Sequence, residues 1–263
     1  MWLVHPAARA LLPVALRLGI SANVVSMLGF AVGAAAAFAF AGWRMPGMAL
    51  LGLVLGICWL ICDGLDGMVA RATGTASAFG RVMDGICDHG VFVLIYVSLA
   101  ASIGTPTAWI VASIAGAAHA VQSSLYEGER ARFHRRIRGN AAPVSHPHLG
   151  SALVRAYDTV AGSIDRLAGR FDAAMRSARD PFQFGRDYGR AAAPAMKTMS
   201  LLSANVRLLL VTLACLGGTP MLFWWCEILP LTLLAAVTII WHRRVERRIA
   251  EGHTLSPELH AGA

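Results

Sequence analysis

Four aspartates are the residues of this sequence whose type and spacing could do chemistry. Asp63 and Asp66 are three residues apart, and Asp84 and Asp88 are four residues apart. On a helix both spacings place the paired carboxylates on one face. Four carboxylates at one point cannot all stay ionised without compensation, and oxygen ligands suit hard cations such as Mg²⁺ or Mn²⁺. The pattern therefore predicts a divalent metal site, with two ions expected, that could support phosphoryl displacement.

The elements that must position these aspartates are membrane-spanning helices. Hydrophobic residues make up 56% of the 263 residues and charged residues only 14%, whereas soluble domains carry about a quarter charged residues. Six apolar stretches approach the roughly 20 residues that span a bilayer. We therefore expect an all-α integral membrane protein, in one catalytic domain over residues 1–263, with transmembrane helices at about 23–42, 48–70, 82–103, 106–126, 199–217 and 221–241.

The two aspartate pairs lie where the second span ends and the third begins. A short turn separates these spans, so neighbouring antiparallel helices would bring the four carboxylates together at the same membrane depth. Carboxylates embedded in a membrane are costly and usually functional. We therefore interpret the aspartates as a functional site rather than as an incidental acidic cluster.

Basic residues predict how the chain is oriented. If the N-terminus lies in the cytoplasm, Arg44 is the only basic residue predicted on the outer side, and Arg207 lies inside a span. This bias places both termini and the aspartates on the cytoplasmic side of a cell (inner) membrane. The net charge of +8 lies between apolar segments, so we expect membrane lipids, and no nucleic acid, among the partners.

Two further segments stand out from the spans. Within residues 1–20, residues 3–18 resemble a short amphipathic helix on the membrane surface. Residues 128–197 form a long basic cytoplasmic insertion between the fourth and fifth spans. It could lie on the membrane, cover the active site, or pack as a cytoplasmic helix without a direct role. Its apolar residues recur every three or four positions, as in an amphipathic helix: Leu153, Tyr157, Val160, Ile164, Leu167, Phe171 and Met175.

The residues around the aspartates carry a family resemblance. Eight positions over 26 residues match, without departure, the signature of the CDP-alcohol phosphatidyltransferase family: Asp63, Asp66, Gly67, Ala70, Arg71, Gly80, Asp84 and Asp88. The six spans and the N-terminal surface helix also resemble that family. Residues 128–197 are longer than the family's usual connection.

The resemblance implies roles for these residues. Asp63, Asp66 and Asp84 would ligate the metals, with Asp88 as a further ligand and as the catalytic base that takes the proton of an acceptor hydroxyl. The nucleotide of a CDP-linked donor would lie at a second set of positions, and CMP would leave. These nucleotide-binding positions are Asn23, Asp66, Gly67, Ala70, Arg71 and Gly80. A homodimer is also expected from the family.

Asn23 is assigned by a weaker feature. Many members carry Pro-Asn-x-x-Thr ahead of the first span, whereas this chain keeps Asn23, has Ser26 in place of the threonine, and lacks the proline. Asn23 would help to shape the nucleotide pocket, or it could cap the helix.

The predicted fifth span carries a polar stripe. Lys197, Ser200, Ser203 and Arg207 recur at helical spacing, and an intramembrane arginine is a functional candidate by default. Lys197, Ser203 and Arg207 could bind an anionic group of the acceptor or of the lipid donor. Snorkelling, or pairing of Arg207 with a metal-site aspartate, would explain the arginine equally well.

The expected function is phospholipid synthesis by a transferase that uses a CDP-linked donor, with CDP-diacylglycerol expected. Glycerol 3-phosphate, an inositol phosphate, serine and choline are the acceptor candidates, and the basic insertion with Arg207 favours an anionic one. The signature equally fits a CDP-choline or CDP-ethanolamine phosphotransferase acting on diacylglycerol or ceramide. A prenyltransferase-like membrane metalloenzyme and a catalytically silent transporter or scaffold are more distant alternatives.

Overall fold

A computed structural model describes residues 4–75, 78–140, 169 and 171–255, and their side chains apart from those of residues 78–86, 88 and 253–255. Within these ranges every regular element is helical, which confirms the all-α prediction. The elements are α1 (Val4–Arg17), α2 (Ala22–Ala41), α3 (Met48–Ala72), α4 (Ala78–Ile103), α5 (Pro106–Arg136), α6 (Pro181–Met199), a 3₁₀ turn (Ser200–Leu202), α7 (Ala204–Leu216), α8 (Met221–Cys226), a π turn (Glu227–Leu231) and α9 (Thr232–Leu255).

Among the residues that the structure describes, four helical stretches are long and apolar enough to cross a membrane: Ala22–Ala41, Met48–Ala72, Pro106–Arg136 and Met221–Gly252. A fifth qualifies if the bent pair Pro181–Leu202 and Ala204–Leu216 counts as one span, and His89–Ile103 forms a shorter apolar helix. The prediction of a multi-pass helical protein is therefore confirmed at four to five candidate spans. The count of six stays a prediction.

The chain divides into two compact units. The first comprises Met1–Ala120 with Ala204–Leu229, and the second comprises Val121–Ser203 with Pro230–Ala263. The predicted site residues from Asn23 to Asp88 all belong to the first unit. The single catalytic domain over residues 1–263 stays a prediction.

Helices α2 and α3 pack closely and run antiparallel. A Cβ atom on Gly29 would lie 3.0 Å from the Cβ of Cys62, and one on Gly33 would lie 3.2 Å from the ring of Trp59. From Gly29 to Gly33 the residue number increases along α2, while the contacted residue of α3 changes from Cys62 back to Trp59. The two helices therefore run antiparallel. Glycines at helix contacts let backbones approach, as in many membrane bundles.

Helix α4 also packs against α2 but runs parallel to it. A side chain on Gly33 would overlap Val91, and the Ser98 hydroxyl donates to the Ala37 carbonyl at 2.9 Å. The residue numbers of these contacts increase along both helices together, from Gly33 with Val91 to Ala37 with Ser98. Helices α3 and α4 therefore run antiparallel to each other, as the sequence predicts for the two spans that carry the aspartates.

Helix α1 packs one face on α3. Ala8 and Ala15 are buried together with Leu65 and Val69, and a Cβ on Gly64 would lie 3.6 Å from the Cβ of Ala8. Other apolar residues of the helix are exposed, namely Leu11, Val14 and Leu16, and so is Leu18 just after its end. The placement of this helix on the membrane surface stays a prediction.

The second unit has its own apolar core. Phe171 and Met175, two members of the repeat predicted in the insertion, are fully buried there beside Phe184 and Tyr188. The other five members, Leu153 to Leu167, lie outside the described residues. Helix α6 begins sharply because Asp180 caps it, accepting hydrogen bonds from two backbone N–H groups.

Candidate active site

Asp66 is the best defined member of the predicted site. Its side chain lies on α3, in the turn before the last, and is only 5% exposed. The Ser26 hydroxyl of α2 donates to Asp66 Oδ2 at 2.5 Å. The contact forms because the first turns of α2 lie beside the last turns of antiparallel α3. The hydroxyl that holds this buried carboxylate comes from a residue 40 positions earlier in the chain, so no helical spacing relates the two.

Asp63 lies one turn before Asp66 and is half-buried. The three-residue spacing within α3 confirms that the two carboxylates share a helix face. These two side chains offer carboxylate oxygens, which are the ligand atoms that Mg²⁺ and Mn²⁺ prefer.

Arg71 reaches back over Gly67 on the last turn of α3. A Cβ on Gly67 would lie 3.3 Å from Nη1 of Arg71 and 3.7 Å from its Nη2. The guanidinium therefore lies over Gly67, the residue after Asp66, where the backbone carries no side chain. Ala70 precedes it and is half-buried. This local arrangement fits a positive charge held ready for a phosphate.

The other predicted members of the site lie on α4. Gly80, Asp84 and Asp88 belong to this helix by their backbone, and the predictions that depend on their side chains lie outside the described residues. The gathering of four carboxylates at one point, and the roles of Asp84 and Asp88 in it, stay predictions.

Asn23 does not cap α2. The cap is Ser21, whose hydroxyl accepts a hydrogen bond from the Val24 backbone N–H at 3.4 Å. Because α2 begins at Ala22, Asn23 is already inside the first turn, and its side chain is exposed. The capping alternative for Asn23 is therefore wrong, while its nucleotide-binding role stays a prediction.

Arg207 is buried and ion-paired. Its side chain is 1% exposed, and its Nε donates to the two carboxylate oxygens of Glu227 at 2.9 and 3.2 Å. Snorkelling is therefore wrong as an account of this residue. His119 lies near the same carboxylate, with its Nδ1 3.7 Å from Glu227 Oε1.

Lys197 and Ser203 do not continue a helical stripe to Arg207. Lys197 is exposed in the last turn of α6, a 3₁₀ turn follows, and Ser203 ends that turn with its backbone N–H bonded to the Ser200 carbonyl. The helix resumes only at Ala204. The expectation of one continuous stripe is therefore wrong, and a shared acceptor-binding role for Lys197, Ser203 and Arg207 stays a prediction.

Sequence reasoning missed Glu227. This residue is the one charged residue in the apolar stretch 221–241. A single charge in a predicted span is usually functional or paired, so its position could have identified it as a candidate. It starts a π turn that contains Pro230. Proline lacks a backbone N–H and cannot continue the ordinary helical ladder, which accounts for a widened turn here.

A second polar cluster occupies the second unit. Glu129, His242 and Glu246 are buried, and one ligand atom from each lies within 4.8 Å of the others. Arg243, however, donates to both glutamates, and Arg136 also donates to Glu246. The carboxylates already have cationic partners, so a divalent ion would have to displace guanidinium groups. We interpret this cluster as a buried ion-pair network.

The comparison with known proteins concerns the first unit above all. Residues 19–141 match the family model described as CDP-alcohol phosphatidyltransferase. An archaetidylinositol phosphate synthase from Pyrococcus horikoshii is 35% identical over 72 residues, which cover 27% of this chain and 36% of that protein. The chain thus spans little more than a third of the length of this curated relative. The matched range 19–141 contains both aspartate pairs, Gly67, Arg71 and Ser26.

Proposed function

We propose that this chain belongs to the CDP-alcohol phosphatidyltransferase family, whose model residues 19–141 match, and that it moves a substituted phosphate from a CDP-linked donor to an alcohol hydroxyl and releases CMP. The observation that carries the proposal is the family match over the range that holds all eight signature positions. A prenyltransferase-like enzyme would not account for that match, and the intact aspartates argue against a catalytically silent transporter or scaffold.

The helix register supports a convergence of the four aspartates. Trp59 of α3 and Phe92 of α4 pack edge to face with ring centroids 5.5 Å apart. In an antiparallel pair, seven residues forward from Trp59 correspond to about seven residues back from Phe92, since both helices rise about 1.5 Å per residue. Asp66 is then level with about position 85 of α4, which lies between Asp84 and Asp88.

We therefore assign Asp63, Asp66, Asp84 and Asp88 as the residues that would hold two Mg²⁺ or Mn²⁺ ions. The all-oxygen donor set fits these ions, and Asp63 and Asp66 already share one helix face. The ions would neutralise phosphate charge during transfer. Asp88 would accept the proton of the attacking hydroxyl.

The last turn of α3 would hold the nucleotide part of the donor. Arg71 would neutralise a phosphate, and Gly67 would let the donor approach the helix backbone. Ala70, Gly80 and Asn23 would complete this region, on the strength of the family resemblance. Asp66 would contribute to both the metal and the nucleotide site.

The membrane setting follows from the apolar helices and the charge pattern. We propose a multi-pass protein of the cell membrane with six spans, α1 on the cytoplasmic surface, and the aspartates on that side. A homodimer is proposed from the family resemblance alone. The basic segment 128–197 would stay cytoplasmic.

The donor and the acceptor need separate arguments. We propose CDP-diacylglycerol as the donor and rank an inositol phosphate first among the acceptors, in line with the name of the archaeal relative. The charge of Arg207 is balanced by Glu227, so this arginine no longer favours an anionic acceptor by itself. The basic charge of residues 128–197 still favours an anionic acceptor.

The experiment is CMP release by the purified chain in lipid with Mg²⁺. Radiolabelled CDP-diacylglycerol would be offered with an inositol phosphate, glycerol 3-phosphate, serine or choline, and CDP-choline and CDP-ethanolamine would be offered with diacylglycerol. Acceptor-dependent CMP release, lost in Asp66→Asn, is expected. Release from CDP-choline alone would reverse the donor assignment, and no CMP from any pair would refute the proposal.

A further inference from the structure

Ser26 is a polar residue of the first unit to which the eight-position signature gives no role. Its hydroxyl lies 2.5 Å from Oδ2 of Asp66 and 3.2 Å from the Ala22 carbonyl, four residues earlier on its own helix. A hydroxyl has one hydrogen to donate. The shorter contact to a charged acceptor is the stronger of the two, so the hydrogen belongs to Asp66.

We infer that Ser26 is a positioning residue for Asp66, fixing the orientation in which this carboxylate meets a divalent cation. The inference rests on the proposed function, in which Asp66 is a metal ligand. A hydroxyl bonded to one carboxylate oxygen restricts rotation of the group, and the interaction is strong where water is excluded. Hydrogen-bond partners behind a ligand commonly set its orientation and its affinity for metal.

The close approach of α2 to α3 makes this contact available to a short side chain. Gly29 lies one turn after Ser26, and a Cβ atom there would be only 3.0 Å from the Cβ of Cys62. The backbones are therefore near enough for a serine hydroxyl to reach Asp66. Gly29 permits the short distance between the two helix backbones, and this short distance lets the Ser26 hydroxyl bond to Asp66.

Ser98 provides a matched control in the same unit. Its hydroxyl also links two helices, from α4 to the Ala37 carbonyl of α2 at 2.9 Å. The acceptor there is a neutral backbone oxygen, whereas the acceptor of Ser26 is a carboxylate. Loss of either hydroxyl would remove a helix–helix hydrogen bond, but only loss of Ser26 would release a metal ligand.

The test is Mn²⁺ binding to the purified full chain without substrates, measured by the electron paramagnetic resonance signal of free Mn²⁺. Ser26→Ala and Ser26→Val should weaken Mn²⁺ binding by roughly 10–100-fold. Ser26→Thr should retain the wild-type dissociation constant, because threonine keeps the hydroxyl and matches valine in shape. Ser98→Ala should bind Mn²⁺ as the wild type does, even where its thermal stability falls.

The outcomes separate this inference from the proposed function. Unchanged Mn²⁺ affinity in folded Ser26→Ala and Ser26→Val would overturn the positioning role while CMP release by the wild type still stands. A wild-type chain that neither binds Mn²⁺ nor releases CMP would overturn the proposed function itself. If only threonine at this position gave folded protein, the hydroxyl would be structural, and the positioning role would again be wrong.

Discussion

The buried pair of Arg207 and Glu227 allows a quantitative prediction. The two side chains are 1% and 0% exposed and share two hydrogen bonds of 2.9 and 3.2 Å. Replacing one partner with methionine leaves the other charge without its closest counter-ion in a dry interior. Breaking such a pair costs about 3–5 kcal/mol, whereas replacing both partners with apolar residues is often neutral.

Arg190 and Asp187 supply the control. This pair lies 3.6 Å apart with side chains 79% and 41% exposed, and exposed pairs contribute about 0–1 kcal/mol. At roughly 2–4 °C per kcal/mol for proteins approaching this size, Arg207→Met should lower the midpoint of unfolding by on the order of 10 °C. Arg190→Met should lower it by a few degrees at most.

The assay is thermal unfolding followed by intrinsic fluorescence in one detergent. Arg207→Met and Glu227→Met should lose stability alike, and the double variant should recover most of the loss. If Arg207→Met costs no more than Arg190→Met, the reasoning is wrong. The acceptor KM of the double variant adds a second result, since an unchanged KM would remove Arg207 from acceptor binding.

Four further outcomes are expected. EDTA should abolish CMP release and Mg²⁺ or Mn²⁺ should restore it; indifference to chelation would exclude the proposed metal site. Asp88→Asn should abolish turnover while CDP-donor binding, followed by isothermal titration, stays near wild type, and normal turnover would refute the base assignment. Gly67→Ala should raise the donor KM with little effect on the unfolding midpoint, because the added methyl displaces the Arg71 guanidinium; an unchanged KM would count against that contact. Gly33→Ala should lower the free energy of unfolding by about 1–3 kcal/mol through overpacking, whereas Gly116→Ala, with nothing within 4 Å of its Cβ, should stabilise the chain by up to about 1 kcal/mol.

Local patterns predicted the parts of the site that depend on one helix. The i, i+3 spacing of Asp63 and Asp66 places both on one face of α3 as expected, and Arg71 lies one turn beyond Gly67, within reach of it. Such relations follow from the 3.6-residue period of the helix and need no knowledge of neighbours.

Patterns failed where a chain break or a distant partner decides the outcome. The stripe from Lys197 to Arg207 assumes an unbroken helix, yet the chain leaves the α-helix between Met199 and Ala204. Arg243 is only 8% exposed and donates to Glu129, which lies far earlier in the sequence. Neither fact is encoded in the spacing of nearby residues.

The four aspartates illustrate the division between the two sources. The sequence by itself determined their pairing, the apolar helices that carry them, and the signature that relates them to a CDP-linked donor, because these depend on residue type and helical period. Only the tertiary structure decided that Ser26 holds Asp66 and that Glu227 balances Arg207. Those contacts depend on how separate helices pack, as the close approach of α2 to α3 at Gly29 and Gly33 illustrates, and no local run of residues encodes that packing.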